Sequence, residues 1–457
     1  MGLSDHPSVR RHRSVGAPPQ EKASLSEAEV LQLCRDCGAD DVALLSVDDP
    51  AIAPQLNEIV RIFPETRTVV SFVCQMNREP VRATVRSIAN QEFHETYDSV
   101  NETARTFVRE LQDRGRRAVN AVAAFPMEQD KFPGKNWALS HKPIAVAAGL
   151  GKMGVHRCVI HPKFGSFVLL GTILLADDVQ AEKRVLDYNP CLECKLCVAA
   201  CPVEAIGVDG SFNMLSCYTH NYREFLGGFG DWVETIADST SADDYRARVP
   251  LNETASMWQS LSFKPSYKAA FCISVCPAGE DVLSPFLEDR AAFVERFVKP
   301  LQDKAETVYV LEGSDAQDLV ARKFPNKTVK TVSWMNVEPT GPSLLFGMRL
   351  SFQRRRSKGL DATFHMHFTG AREISGTVDV RRRAVALDFG LKGVPDVVLR
   401  VSGPVWVELL SRKLSVPDAV AQGRLEVEGD PELVARLVDC YPRFGRVPHD
   451  GSIAEPA

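Results

Sequence analysis

The chain has 457 residues, too many for one ordinary core, so two to four domains are expected. Hydrophobic residues make up 44% and charged residues 25%, the balance of a soluble globular protein. The formal charge of −5 leaves no strong basic field for nucleic acid, and no apolar run approaches the roughly 20 residues of a membrane span.

Residues 1–24 are basic and polar, carry Pro18 and Pro19, and lack the apolar stretch of a secretory signal. They read as a disordered arm, and the chain as cytoplasmic. Ser26 and Glu29 then form a capping box, and Gly38 ends that helix. Residues 42–45 and 68–74 read as buried strands, 96–114 as a long amphipathic helix stopped by Gly115, and 119–125 as a strand. Residues 140–148 form a short apolar helix or strand before Gly149, and 157–161 and 166–176 read as two more strands. Helices alternating with strands predict an α/β domain over residues 25–185.

Residues 186–300 are irregular and rich in cysteine. A short α/β connector follows over 301–335, with a strand at 306–311 and a helix at 315–323. Past Trp334 the pattern changes again. Strands are expected at 362–369, 376–380, 384–389 and 397–401, and helices at 406–410, 416–421 and 431–440. These make a separate α+β domain over 336–457.

Seven of the twelve cysteines fall between Cys191 and Cys276. A chain this long does not need a disulfide framework, so the crowding points to metal ligation in a reducing compartment. Cys191, Cys194, Cys197, Cys201 and Pro202 spell C-x2-C-x2-C-x3-C-P. Three thiolates two residues apart aim into one cubic iron–sulfur cluster, and the fourth ligates the second cluster of a pair. On this reading Cys201 starts a helix whose first turn Pro202 fixes. Zinc ribbons use two distant C-x2-C pairs instead. Cys272 and Cys276-Pro277 form a second step of the same kind. Pairing assigns Cys276 to the first cluster with Cys191, Cys194 and Cys197. The second keeps Cys201, Cys217 and Cys272. Its fourth thiolate would fall at position 269, which is Ala269. His220, a solvent ligand or a three-iron cluster fills that gap, unless His220 is an ordinary surface histidine. Cys34 and Cys37 close a helix and read as packing, as do Cys74, Cys158 and Cys440.

Together with the cluster motif, the run from Ala147 through Gly149, Leu150, Gly151, Lys152, Met153 and Gly154, and the run His161-Pro162-Lys163-Phe164-Gly165-Ser166, resemble epoxyqueuosine reductase and its paralogues, relatives of the reductive dehalogenases. The resemblance spans about residues 25–285. It implies an α/β domain that holds cobalamin non-covalently, fed with electrons by two [4Fe–4S] clusters in a ferredoxin-like double-cluster module. It also implies cofactor contacts at Gly149, Leu150, Gly151, Gly154, Gly165 and Ser166. The family's catalytic Asp is missing, because the matching stretch is Ser140-His141-Lys142-Pro143. His141, with an ordinary pKa suited to acid–base work near neutrality, is the substitute candidate. The glycine run also fits the dinucleotide fingerprint G-x-G-x-x-G, but strand-like residues 155–160 follow it where a helix is required. A tight turn with no ligand is the third reading.

Residues 336–445 resemble a sterol-carrier-protein fold, through the strand at 362–369, Pro395-Asp396-Val397-Val398-Leu399, Trp406, and the stretch from Gly423 to Asp430. That resemblance implies a tunnel for an apolar or lipid-like molecule. Ala362, Phe364, Met366 and Phe368 share one strand face, which is core or cavity wall, while His365 and His367 share the other and are expected to be exposed. Arg354, Arg355, Arg356 and Lys358 form a basic run, read as a solvated loop. The function expected is an iron–sulfur reductase that passes electrons from a donor such as ferredoxin or flavodoxin, through the clusters, to a corrinoid and an unidentified organic substrate. The alternative is a non-enzymatic electron carrier or docking protein with a lipid-binding C-terminal domain.

Overall fold

A computed structural model describes residues 2–15, 24–121, 137–191, 193–225, 227–333, 340–370 and 372–445. Two compact units divide the chain: residues 1–81, 91–192 and 277–287 form the first, and 82–90, 193–276 and 288–457 the second.

The first unit is built on a four-stranded sheet. Its strands are β1 (Asp41–Ser46), β2 (Thr68–Gln75), β3 (Ala118–Ala121) and β4 (Val168–Leu175), in the order β1-β2-β4-β3. The remainder of the strand expected at 119–125 lies outside the described residues. Both faces are covered, so β1, β2 and β4 are apolar along most of their length. Val42, Leu44, Val70 and Phe72 pack to one side with Val30, Phe107 and Leu111. Ala43, Leu45, Val69 and Val73 pack to the other with Ile144 and Ala145.

The layering is that of an α/β domain, and every strand pair of this sheet is antiparallel. Alternation in sequence fixes the elements. Strand direction depends on where each connection delivers the chain, and these connections return it to the opposite end.

Helix α1 (Pro7–Val15) replaces part of the expected disordered arm, with no buried residue. Helix α2 (Glu27–Asp36) has the capping box as read: the Ser26 amide donates to Glu29, and the Glu29 amide to the Ser26 hydroxyl. Helix α3 (Arg86–Asp113) begins ten residues earlier than expected. Its first turn is held through Arg86, whose guanidinium donates to the Ala269 carbonyl and lies over the Phe271 ring. Helix α4 (His141–Ala147) precedes the glycine run.

In the second unit, helices α5 (Leu196–Ala200), α6 (Met214–Asn221) and α7 (Phe271–Ser274) carry Cys197, Cys217 and Cys272. A βαβ unit follows: β5 (Thr307–Leu311), α8 (Asp315–Lys323) and β6 (Thr328–Val332), with parallel strands. Helix α9 (Gly341–Ser351), not anticipated from sequence, leads into the C-terminal sheet. That sheet has β7 (Ala362–Thr369), β8 (Ile374–Arg381), β9 (Ala384–Phe389), β10 (Val397–Ser402) and β11 (Leu425–Glu428), in the order β9-β8-β7-β10-β11. Only β7 and β10 run parallel. Helices α10 (Gly403–Leu410), α11 (Val416–Ala421) and α12 (Pro431–Asp439) complete it.

Phe364, Met366 and Phe368 are fully buried with Trp406, so the apolar face of β7 is packed core. His365 is buried too, which corrects its expected exposure. The backbone at Lys392 covers it, and its Nε2 lies 3.0 Å from the Lys392 carbonyl. Truncating Phe364 to Ala should cost about 3–5 kcal/mol in this domain. Urea unfolding followed by tryptophan fluorescence should show the drop. Glu426→Ala, at an exposed position, should move the midpoint by less than about 0.5 kcal/mol.

Candidate metal centre

Two short helices of the second unit, α5 and α7, pack against each other and share one plan. Each is entered through a non-glycine residue in the left-handed region: Lys195 at φ 56° and Ala270 at φ 58°. Each carries a cysteine at its second position, Cys197 and Cys272. A second cysteine follows four residues later, Cys201 and Cys276, and a proline after that. Left-handed backbone at such residues costs roughly 1–3 kcal/mol and persists where the surroundings over-determine it. Glu193, between the first two motif cysteines, is also left-handed, at φ 53°.

Cys201 caps the C-terminus of α5 rather than opening a helix, a correction to the expectation above. Pro202 has no N–H and disfavours helix in the residue before it, so the Cys-Pro step ends the helix. Cys201 is buried and accepts from the Ala205 amide at 3.3 Å. Burial pushes its thiol up, while backbone donors at Val203 and Ala205 pull the other way. Binding to a metal removes such a proton outright. In the first unit, the Val155 amide donates to the Cys191 sulfur at 3.4 Å.

The boundary between the units falls after residue 192, inside the motif, so Cys191 belongs to the first unit and Cys194, Cys197, Cys201, Cys217, Cys272 and Cys276 to the second. Among the described residues no cysteine is in a disulfide, and no three Cys, His, Asp or Glu side chains converge on a single ion. A cluster of several irons spreads its thiolates wider than the about 2.3 Å sulfur sphere of one zinc. The donor set, the backbone amides aimed at sulfur and the repeated helix plan all suit iron–sulfur ligation.

Ala269, at the position of the missing thiolate, is buried. Its amide donates to the Asn221 side chain, and its carbonyl accepts from Arg86. His220 on α6 is 1% exposed, which overturns its reading as a surface residue. Its Nδ1 accepts from the Tyr309 amide on β5 at 3.3 Å, and its Nε2 is buried with no hydrogen-bond partner among the described residues. Burial pushes its pKa down to about 4.

The glycine run is shaped by the chain's own backbone. Gly149 is left-handed, at φ 77°, and a Cβ there would collide with the Arg184 carbonyl. A Cβ on Gly165, at φ 67°, would strike the Ala278 carbonyl. Gly151 and Gly154 are closed off by Ile160 and His156, and Leu150 and Ser166 are buried. These six residues therefore leave no open cradle for a corrinoid. The run is preceded by α4 and followed by a two-residue strand pair, Lys152–Met153 with Val159–Ile160, so it does not meet the dinucleotide requirement either.

His161 is a structural anchor. Its Nδ1 accepts from the Lys163 and Phe164 amides, so Nε2 carries the proton and donates to Asp41 at 3.0 Å. Burial alone would raise the Asp41 carboxyl, but hydrogen bonds from His161 and Arg184 outweigh it and hold it down to about 2. Cys158, expected in the core, is half-buried, 4.0 Å from the Lys142 ammonium. The basic run is not free in solvent: Arg354 pairs with Asp209 at 2.9 Å and Arg356 with Asp318 at 3.5 Å. Arg355 helps line a cleft of about 600 Å³ with Val203, Ile206, Asp315, Phe352 and Val385. That cleft runs from the turn after Cys201 to the C-terminal sheet.

His141 is buried at the start of α4, its Nδ1 2.8 Å from the Thr172 hydroxyl and its Nε2 without a partner among the described residues. Burial pushes its pKa down to about 4. Near neutrality the ring is therefore uncharged, and it has no imidazolium proton to give. That corrects its expected fitness as a general acid.

Comparison with known proteins finds two kinds of relative, epoxyqueuosine reductases and a sterol transfer family. Residues 349–440 match the SCP-2 sterol transfer family. The chain is 31% identical over 178 residues to the epoxyqueuosine reductase of Gloeobacter violaceus, 37% of this chain and 51% of that protein. It is 32% identical over 107 residues to that of Staphylococcus aureus, 22% of this chain and 28% of that protein. The chain thus spans about half the length of the first of these relatives and less of the second. Superposition on the epoxyqueuosine reductase of Streptococcus thermophilus gives a TM-score of 0.34 at 16% identity, over 59% of this chain and 75% of that one.

A histidine whose folded pKa lies below its unfolded value stabilises the protein above the unfolded pKa, and that stability is lost as pH falls. For His141 the window runs from about pH 6.5 down to about pH 4, with a total on the order of 3 kcal/mol. Urea midpoints measured across that range should fall more steeply for the wild type than for His141→Gln.

Proposed function

We propose that this chain is an iron–sulfur reductase in which two clusters deliver electrons to an organic substrate. The observation that carries the reading is the duplicated helix plan of α5 and α7, each ending in Cys-Pro. Cys191, Cys194, Cys197 and Cys276 would hold one cluster, and Cys201, Cys217 and Cys272 most of the other. Clusters supply one-electron transfer; the thiolates, backbone amides and burial set their potentials. The match to epoxyqueuosine reductases supports a reductase of that general type. An external donor such as ferredoxin or flavodoxin would load the first cluster.

The corrinoid implied by the resemblance enters no step here. The residues assigned to it are filled by Arg184, Ile160 and Ala278, and His141 is not a neutral-pH acid. Those two observations favour a second reading, an electron carrier that hands its electrons to a partner protein. The C-terminal domain would bind an apolar molecule, and the adjoining cleft would bring it towards the Cys201 side of the clusters. Among the described residues no helix is long and apolar enough to cross a membrane.

Oxygen-free purification tests the proposal. The protein should be brown, with a visible charge-transfer band that bleaches on reduction, and should carry roughly eight irons, or roughly seven if one cluster holds three. Cys201→Ala should lose one cluster and keep the other. A colourless protein, or zinc in place of iron, contradicts the reading. Turnover of reducing equivalents by the purified chain alone would separate the reductase from the carrier.

A further inference from the structure

We infer that His220 donates a hydrogen bond from Nε2 to a sulfur of the second cluster, and so sets that cluster's potential rather than binding its iron. The inference rests on the two-cluster reading above. Its ground is the side chain's own hydrogen bonding. The Tyr309 amide is a donor, and it points at Nδ1 from 3.3 Å. Nδ1 must therefore present its lone pair, and in a neutral ring the single proton sits on Nε2. Flipping the ring would set a carbon against the Tyr309 N–H. The buried neighbour Tyr309 also lies against the ring face, with centroids 6.0 Å apart, which holds the plane in place.

A nitrogen that carries its proton cannot ligate iron. The tautomer therefore removes His220 from the candidates for the fourth ligand. It leaves instead a buried N–H donor with no acceptor among the described residues. An unmet buried donor is destabilising, so such groups are rare unless an acceptor arrives. Glu306, the acid whose field reaches this ring, already accepts from Lys304 at 2.6 Å and Lys327 at 2.8 Å. Cys217 lies three residues earlier on α6, on the same helix face. A thiolate or inorganic sulfide held there is an electron-rich acceptor. A donor to sulfur stabilises the more negative, reduced cluster, so it raises the potential.

The test is a redox titration followed by low-temperature electron paramagnetic resonance on full-length, anaerobically prepared protein. His220→Phe should keep its full iron content, and one of the two cluster potentials should fall while the other stays. His220→Gln, whose amide can donate, should recover part of the shift. Loss of one cluster's iron in both His220→Phe and His220→Gln, with the fold kept, would make His220 an iron ligand and overturn the idea. Unchanged potentials with full iron would overturn it and leave the two-cluster reading intact. Absence of iron in the wild type would overturn both. Should the variants fail to fold, wild-type protein labelled with ¹⁵N-histidine decides. A weak nitrogen coupling with an exchangeable proton supports the donor, whereas a strong directly bonded coupling, or none, contradicts it.

Discussion

The structure turns on two left-handed residues, Lys195 and Ala270, each of which turns the chain sharply into a short helix. Neither is glycine, so each conformation is held against an intrinsic cost. The return on that strain is placement: each turn puts a cysteine in the first turn of its helix and another at a Cys-Pro exit. The two helices touch, so the two steps form one unit. Around it, the second unit adds α6 with its buried histidine, and β5, whose backbone fixes that histidine's ring. A loop with ordinary backbone angles would send these thiolates in unrelated directions.

Burial then decides the chemistry left to the titratable groups. His141 and His220 are both pushed far enough down by desolvation to stay neutral near physiological pH. Neither suits proton transfer. His220 keeps a polar role because one of its nitrogens is committed to a backbone donor. Asp41 shows the opposite outcome, because two hydrogen-bonding partners outweigh its burial and keep it charged. Its bonds to His161 and Arg184 pin the loop that carries Gly165. The residues that carry the resemblance therefore divide into two kinds: cysteines that suit cofactor chemistry, and glycines and a histidine closed in by the first unit's own packing.

Much of this was legible in the residues. Ser26 and Glu29 announce their helix, and the strands at 362–369 and 384–389 follow from alternation alone. The cysteine spacing supplied the iron–sulfur proposal without any coordinates. Strand direction in the first sheet was not legible, because it depends on where each connection ends. The left-handed turns at Lys195 and Ala270 carry no glycine signal. The blocking of Gly149 and Gly165 comes from Arg184 and Ala278, distant in sequence. His220 read as exposed because polar neighbours surround it on α6, while the strand that buries it lies some ninety residues on. The start of α3 was missed because its first turn is fixed by a partner at Ala269 rather than by its own pattern.

The most direct test of the central claim is the low-temperature electron paramagnetic resonance spectrum of the fully reduced protein. Two clusters built on touching helices should couple magnetically, giving a broadened spectrum that simplifies to a single isolated cluster in Cys272→Ala. A spectrum of one uncoupled cluster in the wild type, unchanged by that substitution, would contradict the account.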